Sequence, residues 1–371
     1  MGNYYTTKRI DKENALYNLI FGDRSTGKTT ACLTNILEAY AAEGSQGAII
    51  RRWADDFKSK RGAVLFDSIV ERGVVSDLFE GLWDNVYYYN GRWYLCKYED
   101  GKRILADEPF AFAFALTQME HDKSSSYPKV KTIVFDEFIT RHQYLPNEFI
   151  LFQNTLSTII RDRDDVKIYM LGNSVNKYGC PYFKEMGLTH ITEMKAGDIA
   201  LYRYGDSELT VAVEFTGSAN DEYIDSSGIK RKGKPSDKFF AFNNEQLKMI
   251  TKPGEWEMDI YPHLTIKFKP KDIRYTFFIQ YDGNLAQCEV VKAEGQMFIY
   301  IHRKTTELKT PDKDLIYSDQ WDMRPNWRRR ITKPTNERER LIMSFFVNEK
   351  IVYQDNDMGE LIRQYLLWCS K

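Results

Sequence analysis

The chain has 371 residues, 43% of them apolar and 14% aromatic, which is enough to fill the cores of two domains. Its 52 basic and 53 acidic side chains leave a formal net charge of -1, which excludes a protein that coats nucleic acid by bulk charge, so such contacts must come from local patches. The five cysteines are far apart with no CxxC pair, no apolar run has the length of a membrane span, and the polar start Met1-Gly2-Asn3-Tyr4 is no signal peptide. These features predict a soluble intracellular protein with no membrane partner, no disulfide framework and no zinc site.

The first half alternates strands and helices. The apolar run Leu16–Phe21 ends at Gly22, and a helix-like stretch runs from Lys28 to about Ala42. Gly47–Trp53 reads as the next strand and Ala54 to Val70 as the next helix. The aromatic, alternating section Val86–Tyr98, with Asn90-Gly91 at its centre, reads as a β-hairpin. A strand at Lys131–Phe138, a helix at Asn147–Ile160 and a strand at Val166–Leu171 follow. Strands separated by helices predict an α/β fold with a parallel sheet covered on both faces.

Composition changes after about residue 200. Gly217 to Lys238 is rich in Ser, Gly, Asp and Lys and reads as an exposed linker or mobile loop. Strands are expected at Leu264–Phe268, Arg274–Gln280, Cys288–Val291 and Gln296–Ile301, then helices at Glu337–Asn348 and Met358–Cys369. The expected division is an α/β domain over 1–200, a linker region over 201–250 and a smaller α+β domain over 251–371.

Gly22-Asp23-Arg24-Ser25-Thr26-Gly27-Lys28-Thr29 matches G-x-x-x-x-G-K-[ST], between an apolar run and a helical pattern. Backbone N–H groups of such a loop wrap the β-phosphate, and the helix N-terminus adds its partial positive charge. In this pattern Lys28 reaches the β- and γ-phosphates and the Thr29 hydroxyl ligates Mg2+, with Thr30 next in the helix. The run Ile133-Val134-Phe135 delivers Asp136 and Glu137 to a strand's C-terminal end, where ligands bind in open α/β sheets. Asp136 would hold Mg2+ through water and Glu137 would act as general base on the attacking water, which points to ATP hydrolysis. Asn173, at the end of the next apolar strand, is either a γ-phosphate sensor or a plain turn residue. Arg161 and Arg163 follow the preceding helix and are either phosphate-directed arginines or a solvated helix end.

Several motifs fall in one order: the phosphate loop, Ile49-Ile50-Arg51-Arg52, Lys123-Ser124-Ser125-Ser126-Tyr127-Pro128, the strand ending in Asp136-Glu137, Leu145-Pro146-Asn147-Glu148, Arg161-Asp162-Arg163 and Leu171-Gly172-Asn173-Ser174. Over roughly residues 16–185 the chain resembles the DNA-packaging ATPases of phi-twenty-nine-like small tailed phages. The resemblance implies an ASCE-type P-loop sheet and a homo-oligomeric ring, commonly a pentamer, docked on the portal of a procapsid in the host cytoplasm. It implies ATP and Mg2+ as cofactors and double-stranded DNA and the portal as partners, with a structural packaging RNA as a further candidate. Arg161 resembles the trans-acting arginine finger, Arg163 a neighbour able to substitute for it, and Lys123 a residue facing the adjacent subunit. The family often has a lysine just past its Arg-Arg pair, where this chain has Trp53-Ala54-Asp55 and the nearest base is Lys58. The C-terminal domain is expected to be RNase H-like and without nuclease activity, and Asp282-Gly283 reads as a hairpin turn rather than the start of a metal site.

Candidate DNA contacts are the basic clusters at Lys58, Lys60 and Arg61, at Lys230 to Lys238, at Lys267, Lys269 and Lys271, and at Arg328, Arg329 and Arg330. Base-independent binding needs little more than such residues against phosphates. A different P-loop motor such as a helicase, and a nucleotide-dependent assembly scaffold, are the competing readings.

Overall fold

A computed structural model describes residues 5–24, 26–58, 60–121, 126–140, 144–173, 180–188, 190–216, 222–224, 230–232 and 261–370. The chain divides into two compact units.

The first unit is built on a ten-stranded sheet: β1 Tyr17–Gly22, β2 Gln46–Arg51, β3 Asn85–Tyr89, β4 Arg92–Glu99, β5 Lys102–Leu105, β6 Ala111–Ala115, β7 Val130–Asp136, β8 Lys167–Asn173, β9 Ile199–Arg203 and β10 Thr210–Thr216. The order is β3-β4-β6-β2-β7-β8-β1-β10-β9, with β5 on β4. The run from β6 to β10 is parallel, and β4 and β9 are antiparallel additions. Successive residues of a strand point to opposite faces, and the middles of the central strands carry apolar residues on both. Leu19, Phe21, Ile133, Phe135, Ile168 and Met170 meet the helix Glu148–Ile160 through Phe152, Leu156 and Ile159. Ile20, Val134, Tyr169 and Leu171 meet the helix Lys28–Glu43 through Cys32, Leu33, Ile36 and Leu37. Each such side chain taken from water contributes on the order of 1.5–3 kcal/mol.

The hairpin at Asn90-Gly91 forms as its sequence predicts, with φ 46° and 75° at the two turn residues. Ala54 to Val70 is not one helix but a chain of short helical pieces, Ala54–Phe57, Lys60–Ala63, Val64–Phe66 and Asp67–Glu71. Tertiary partners claim the carbonyls that a continuous helix would use. The Tyr88 hydroxyl donates to Phe57 at 2.8 Å and the Trp93 indole to Gly62 at 2.9 Å. The expected boundary at residue 200 also falls inside β9, and β10 pairs in parallel with β1, so the sheet extends to Thr216. Within the expected linker, β11 Glu222–Ile224 and β12 Lys230–Lys232 form a two-stranded antiparallel pair.

The second unit carries β13 Ile273–Tyr281, β14 Asn284–Ala293, β15 Gln296–Arg303, β16 Ile316–Ser318, β17 Trp327–Arg328 and β18 Ile351–Tyr353, in the order β17-β16-β13-β14-β15-β18. β13, β14 and β15 are antiparallel to one another, β16 and β18 join β13 and β15 in parallel, and β17 follows β16 in parallel. The helices Glu337–Val347 and Asn356–Cys369 start at Asn336 and Asp355, whose side chains accept from the N–H groups of Glu339 and Met358. They place Ile342, Phe345, Leu361, Ile362 and Tyr365 over the sheet. Asp282 and Gly283 form the β13–β14 turn, at φ 48° and 75°. Leu264–Phe268 is not a strand, because β18 already occupies that edge of β15 and only His263 bridges to Tyr353. Its Leu264, Ile266 and Phe268 pack instead as an irregular segment against Val291, Ala293 and Phe298.

Candidate nucleotide site

β1 turns into the loop 23–27 and then into the helix Lys28–Glu43. Gly27 takes φ 91°, a conformation that glycine reaches without a Cβ penalty. Lys28 is buried, and its Nζ donates to the Asp23 carbonyl at 2.6 Å, the Thr26 hydroxyl at 3.2 Å and the Gly22 carbonyl at 3.3 Å. The ammonium therefore already sits within the loop. The Tyr5 N–H donates to the Thr26 carbonyl at 3.0 Å and the Tyr5 hydroxyl to Glu214 Oε2 at 2.7 Å, so an N-terminal segment braces the phosphate loop. Burial, and then the nearby Glu214 charge, push the Tyr5 phenol far above its ordinary range and keep it a donor.

The strand carrying Asp136 lies one strand away from β1, with β8 between them. Register sets Asp136 beside Leu171 and Gly22 beside Asn173, which brings loop, carboxylates and amide to the same sheet edge. The Thr29 hydroxyl donates to Asp136 Oδ1 at 3.1 Å, and Arg51 Nη2 holds Asp136 Oδ2 at 2.7 Å. A cavity of about 170 Å³ is lined by Lys28, Thr29, Arg51, Asp136, Glu137 and Asn173, with Leu171 and Gly172. Glu137 is exposed and takes φ 61°, a left-handed conformation that costs a non-glycine residue roughly 1–2 kcal/mol. The hydroxyl of Thr29 and the carboxylate of Asp136 are hard oxygen donors of the kind Mg2+ takes, so the donor set fits that ion.

Arg24 lies exposed on the loop, and Thr30 is half-buried in the first helical turn. Ser25, Lys123 and Ser174 lie outside the described residues. Arg161 is exposed just past the helix Glu148–Ile160. Arg163 Nη1 donates to the Val130 carbonyl at 2.6 Å, and its Nη2 to Ile159 at 3.0 Å and Tyr127 at 3.3 Å. Val130 opens the strand that Asp136 closes, so Arg163 anchors the end of the sheet opposite this chain's own phosphate loop. Arg51, which the motif includes without a role, proves to be a direct partner of Asp136. Among the described residues no group of three His, Cys, Asp or Glu side chains is placed to hold a metal, and no helix is long and apolar enough to cross a membrane.

The basic clusters differ in what they are free to do. Lys58 Nζ pairs with Asp55 at 2.5 Å, and Lys58 and Lys60 line a cleft of about 870 Å³ together with Tyr88, Tyr89 and Arg92. Arg61 donates to the Asp55 carbonyl at 3.3 Å. Lys267, Lys269 and Lys271 are exposed. Arg328 is committed to buried Glu339 at 3.1 Å, whereas Arg329 and Arg330 lie over Trp368 at 5.1 and 5.7 Å from its ring.

A family model described as Podovirus DNA encapsidation protein (Gp16) matches residues 2–220. The DNA packaging protein of Bacillus phage PZA is 25% identical over 305 residues, which cover 80% of this chain and 78% of that one. Among solved structures, the Phi-28 gp11 DNA packaging motor aligns with 100% of this chain and 99% of its own, at a TM-score of 0.53 and 17% identity. The bacteriophage Phi-29 viral genome packaging motor assembly aligns with 98% and 99%, at a TM-score of 0.51 and 20% identity. The structural likeness speaks to the fold; the family match, which spans more than half of the sequence, establishes that this chain belongs to the Podovirus DNA encapsidation protein (Gp16) family.

Proposed function

We propose that this chain is an ATP-hydrolysing motor that drives double-stranded DNA into a viral procapsid. One observation carries the reading: Thr29 of the phosphate loop and Asp136 of the carboxylate strand are joined at 3.1 Å, with Glu137 next in the chain and opening into the same cavity. Thr29 and Asp136 would hold Mg2+, which when bound neutralises charge on the β- and γ-phosphates. The loop amides and Lys28 grip the phosphates and fix their orientation. Glu137 accepts a proton from the attacking water, and Asn173 offers an amide to that water or to the γ-phosphate. Arg161 lies exposed just past the C-terminal end of the helix Glu148–Ile160, a place that suits an arginine acting on a neighbouring subunit in a ring, a pentamer by the family resemblance.

Double-stranded DNA, the portal and a packaging RNA are the partners that fit this reading, at the portal vertex of a procapsid. The relatives' names as packaging proteins support the first of these. RNase H-like architecture is proposed here without cleavage. The test is ATP turnover by the purified chain with blunt double-stranded DNA, followed by nuclease protection of DNA with procapsids. Stimulation by blunt ends and protection of the DNA are expected. Stimulation that needs a single-stranded tail would favour a helicase.

A further inference from the structure

Two motifs have no part in the chemistry above, the Arg51-Arg52 pair beyond its first residue and Pro146-Asn147-Glu148. The fold brings them together behind the catalytic carboxylates. Arg52 Nε donates to Glu148 Oε2 and its Nη2 to Glu148 Oε1, both at 2.7 Å, and the two side chains are only 6% and 0% exposed. The same guanidinium donates through Nη1 to the Glu137 carbonyl at 3.2 Å and through Nη2 to the Phe138 carbonyl at 3.1 Å. Glu148 also accepts the Leu145 N–H at 2.7 Å and the Tyr182 hydroxyl at 2.9 Å. The Pro146-Asn147 turn, with Asn147 at φ 55°, sets Glu148 as the first residue of its helix and so aims it inward.

We propose that Arg52 is a positioning residue for hydrolysis: clamped by Glu148, its guanidinium fixes the left-handed backbone of Glu137 and thereby aims the Glu137 carboxylate at the attacking water. This rests on Glu137 being the general base, as proposed above. A left-handed, non-glycine residue persists only where its surroundings over-determine it. On one side β8 does so, because the Phe138 N–H donates to the Leu171 carbonyl at 3.0 Å. On the other side only a planar fork can reach two consecutive carbonyls while pairing in bidentate fashion with a carboxylate, which a lysine ammonium cannot do. Relaxation of Glu137 to negative φ would swing its carbonyl away from Arg52 and its side chain away from the cavity. A base misplaced by an ångström costs about 100-fold in rate while leaving nucleotide contacts intact.

A buried ion pair can be a packing device, and one experiment separates that role from positioning. Replacing both partners of a buried pair with apolar residues of similar volume usually preserves stability. The Arg52→Met/Glu148→Met double variant thus keeps the buried volume but loses the grip on the Glu137 and Phe138 carbonyls, along with the Glu148 acceptors of the Leu145 N–H and the Tyr182 hydroxyl, and Arg52→Lys loses the fork alone. Melting temperature, ATP affinity and kcat are measured for both beside wild type. The expected result is wild-type ATP affinity with kcat reduced about 100-fold in each variant that stays folded. Near-wild-type turnover in the double variant would reduce the pair to packing and overturn the inference, as would a loss of ATP affinity that accounts for the lost rate. If the double variant does not fold, Arg52→Lys decides by the same criteria. A wild-type protein that hydrolyses no ATP would instead remove the proposed function, and this inference with it.

Discussion

Gly22 and Thr216 lie so close that a Cβ at position 22 would stand 1.9 Å from the Thr216 carbonyl oxygen. Gly22 also sits at φ 151°, and Thr216 in turn donates its hydroxyl to the Phe21 carbonyl at 3.2 Å. The last residue of β10 thus presses on the point where β1 becomes the phosphate loop. Gly22→Ala must displace one of two backbones, at a cost of about 1–3 kcal/mol or more. We expect a lowered melting temperature together with weakened nucleotide binding, read by thermal denaturation and by titration with a fluorescent ATP analogue.

Arg161 and Arg163 are two residues apart and are predicted to differ in their effect on turnover. Arg163 is spent on backbone carbonyls, so Arg163→Ala should cost roughly 1–3 kcal/mol of stability. If Arg161 acts on a neighbouring subunit as proposed, Arg161→Ala should lower turnover of the oligomer by about 10³-fold or more. Thermal unfolding alongside ring-dependent ATPase assays checks both. A stable, inactive Arg163→Ala would reverse the assignment.

The cluster at 328–330 divides in the same way. Arg328→Ala strips a buried carboxylate, Glu339 at 1% exposure, of its cation and should cost about 1–3 kcal/mol. Arg329→Ala/Arg330→Ala removes two cations that overlie Trp368. That variant should keep its basal ATPase rate and lose much of the stimulation by DNA, with a shallower salt dependence of binding. Unchanged stimulation would remove this cluster from the DNA contact.

His302 Nε2 lies 3.5 Å from Glu289 Oε1 in the second unit. Their hydrogen bond raises the histidine above its ordinary 6.5 and lowers the carboxyl below its ordinary 4.5, each against some desolvation. The raised histidine contributes stability that is full below pH 6.5 and lost as pH rises through its folded value. The lowered carboxyl contributes stability present above pH 4.5 and lost as pH falls through its folded value. His302→Gln should therefore lose about 0.5–1 kcal/mol relative to wild type inside that window, with the difference shrinking on either side. Denaturant melts across pH test this, and a constant difference at every pH would contradict it.

The phosphate loop and the carboxylate strand are legible in the sequence because each is a contiguous pattern with a chemical reason for its spacing. The Asn90-Gly91 and Asp282-Gly283 turns are legible for the same reason, since two left-handed residues in succession favour those pairs. What escapes is non-local. β10 pairs with a strand nearly two hundred positions earlier, and Glu214 interrupts its apolar run, so nothing nearby marks it as central. Arg51 meets Asp136 and Arg52 meets Glu148 only through the fold. Arg163 and Arg328 show the converse. Residue type alone suggests phosphate contact, whereas three backbone carbonyls have claimed Arg163 and a buried carboxylate Arg328. Leu264–Phe268 alternates like a strand but finds its edge taken by β18.

The central claim is that Glu137 launches water at the terminal phosphate of a nucleotide held by Lys28, Thr29 and Asp136. The most direct measurement is single-turnover ATP hydrolysis by Glu137→Gln, with ATP binding followed in the same samples. The account predicts wild-type ATP affinity and a hydrolysis rate lowered by about 10²-fold or more. Hydrolysis at the wild-type rate by Glu137→Gln would contradict it.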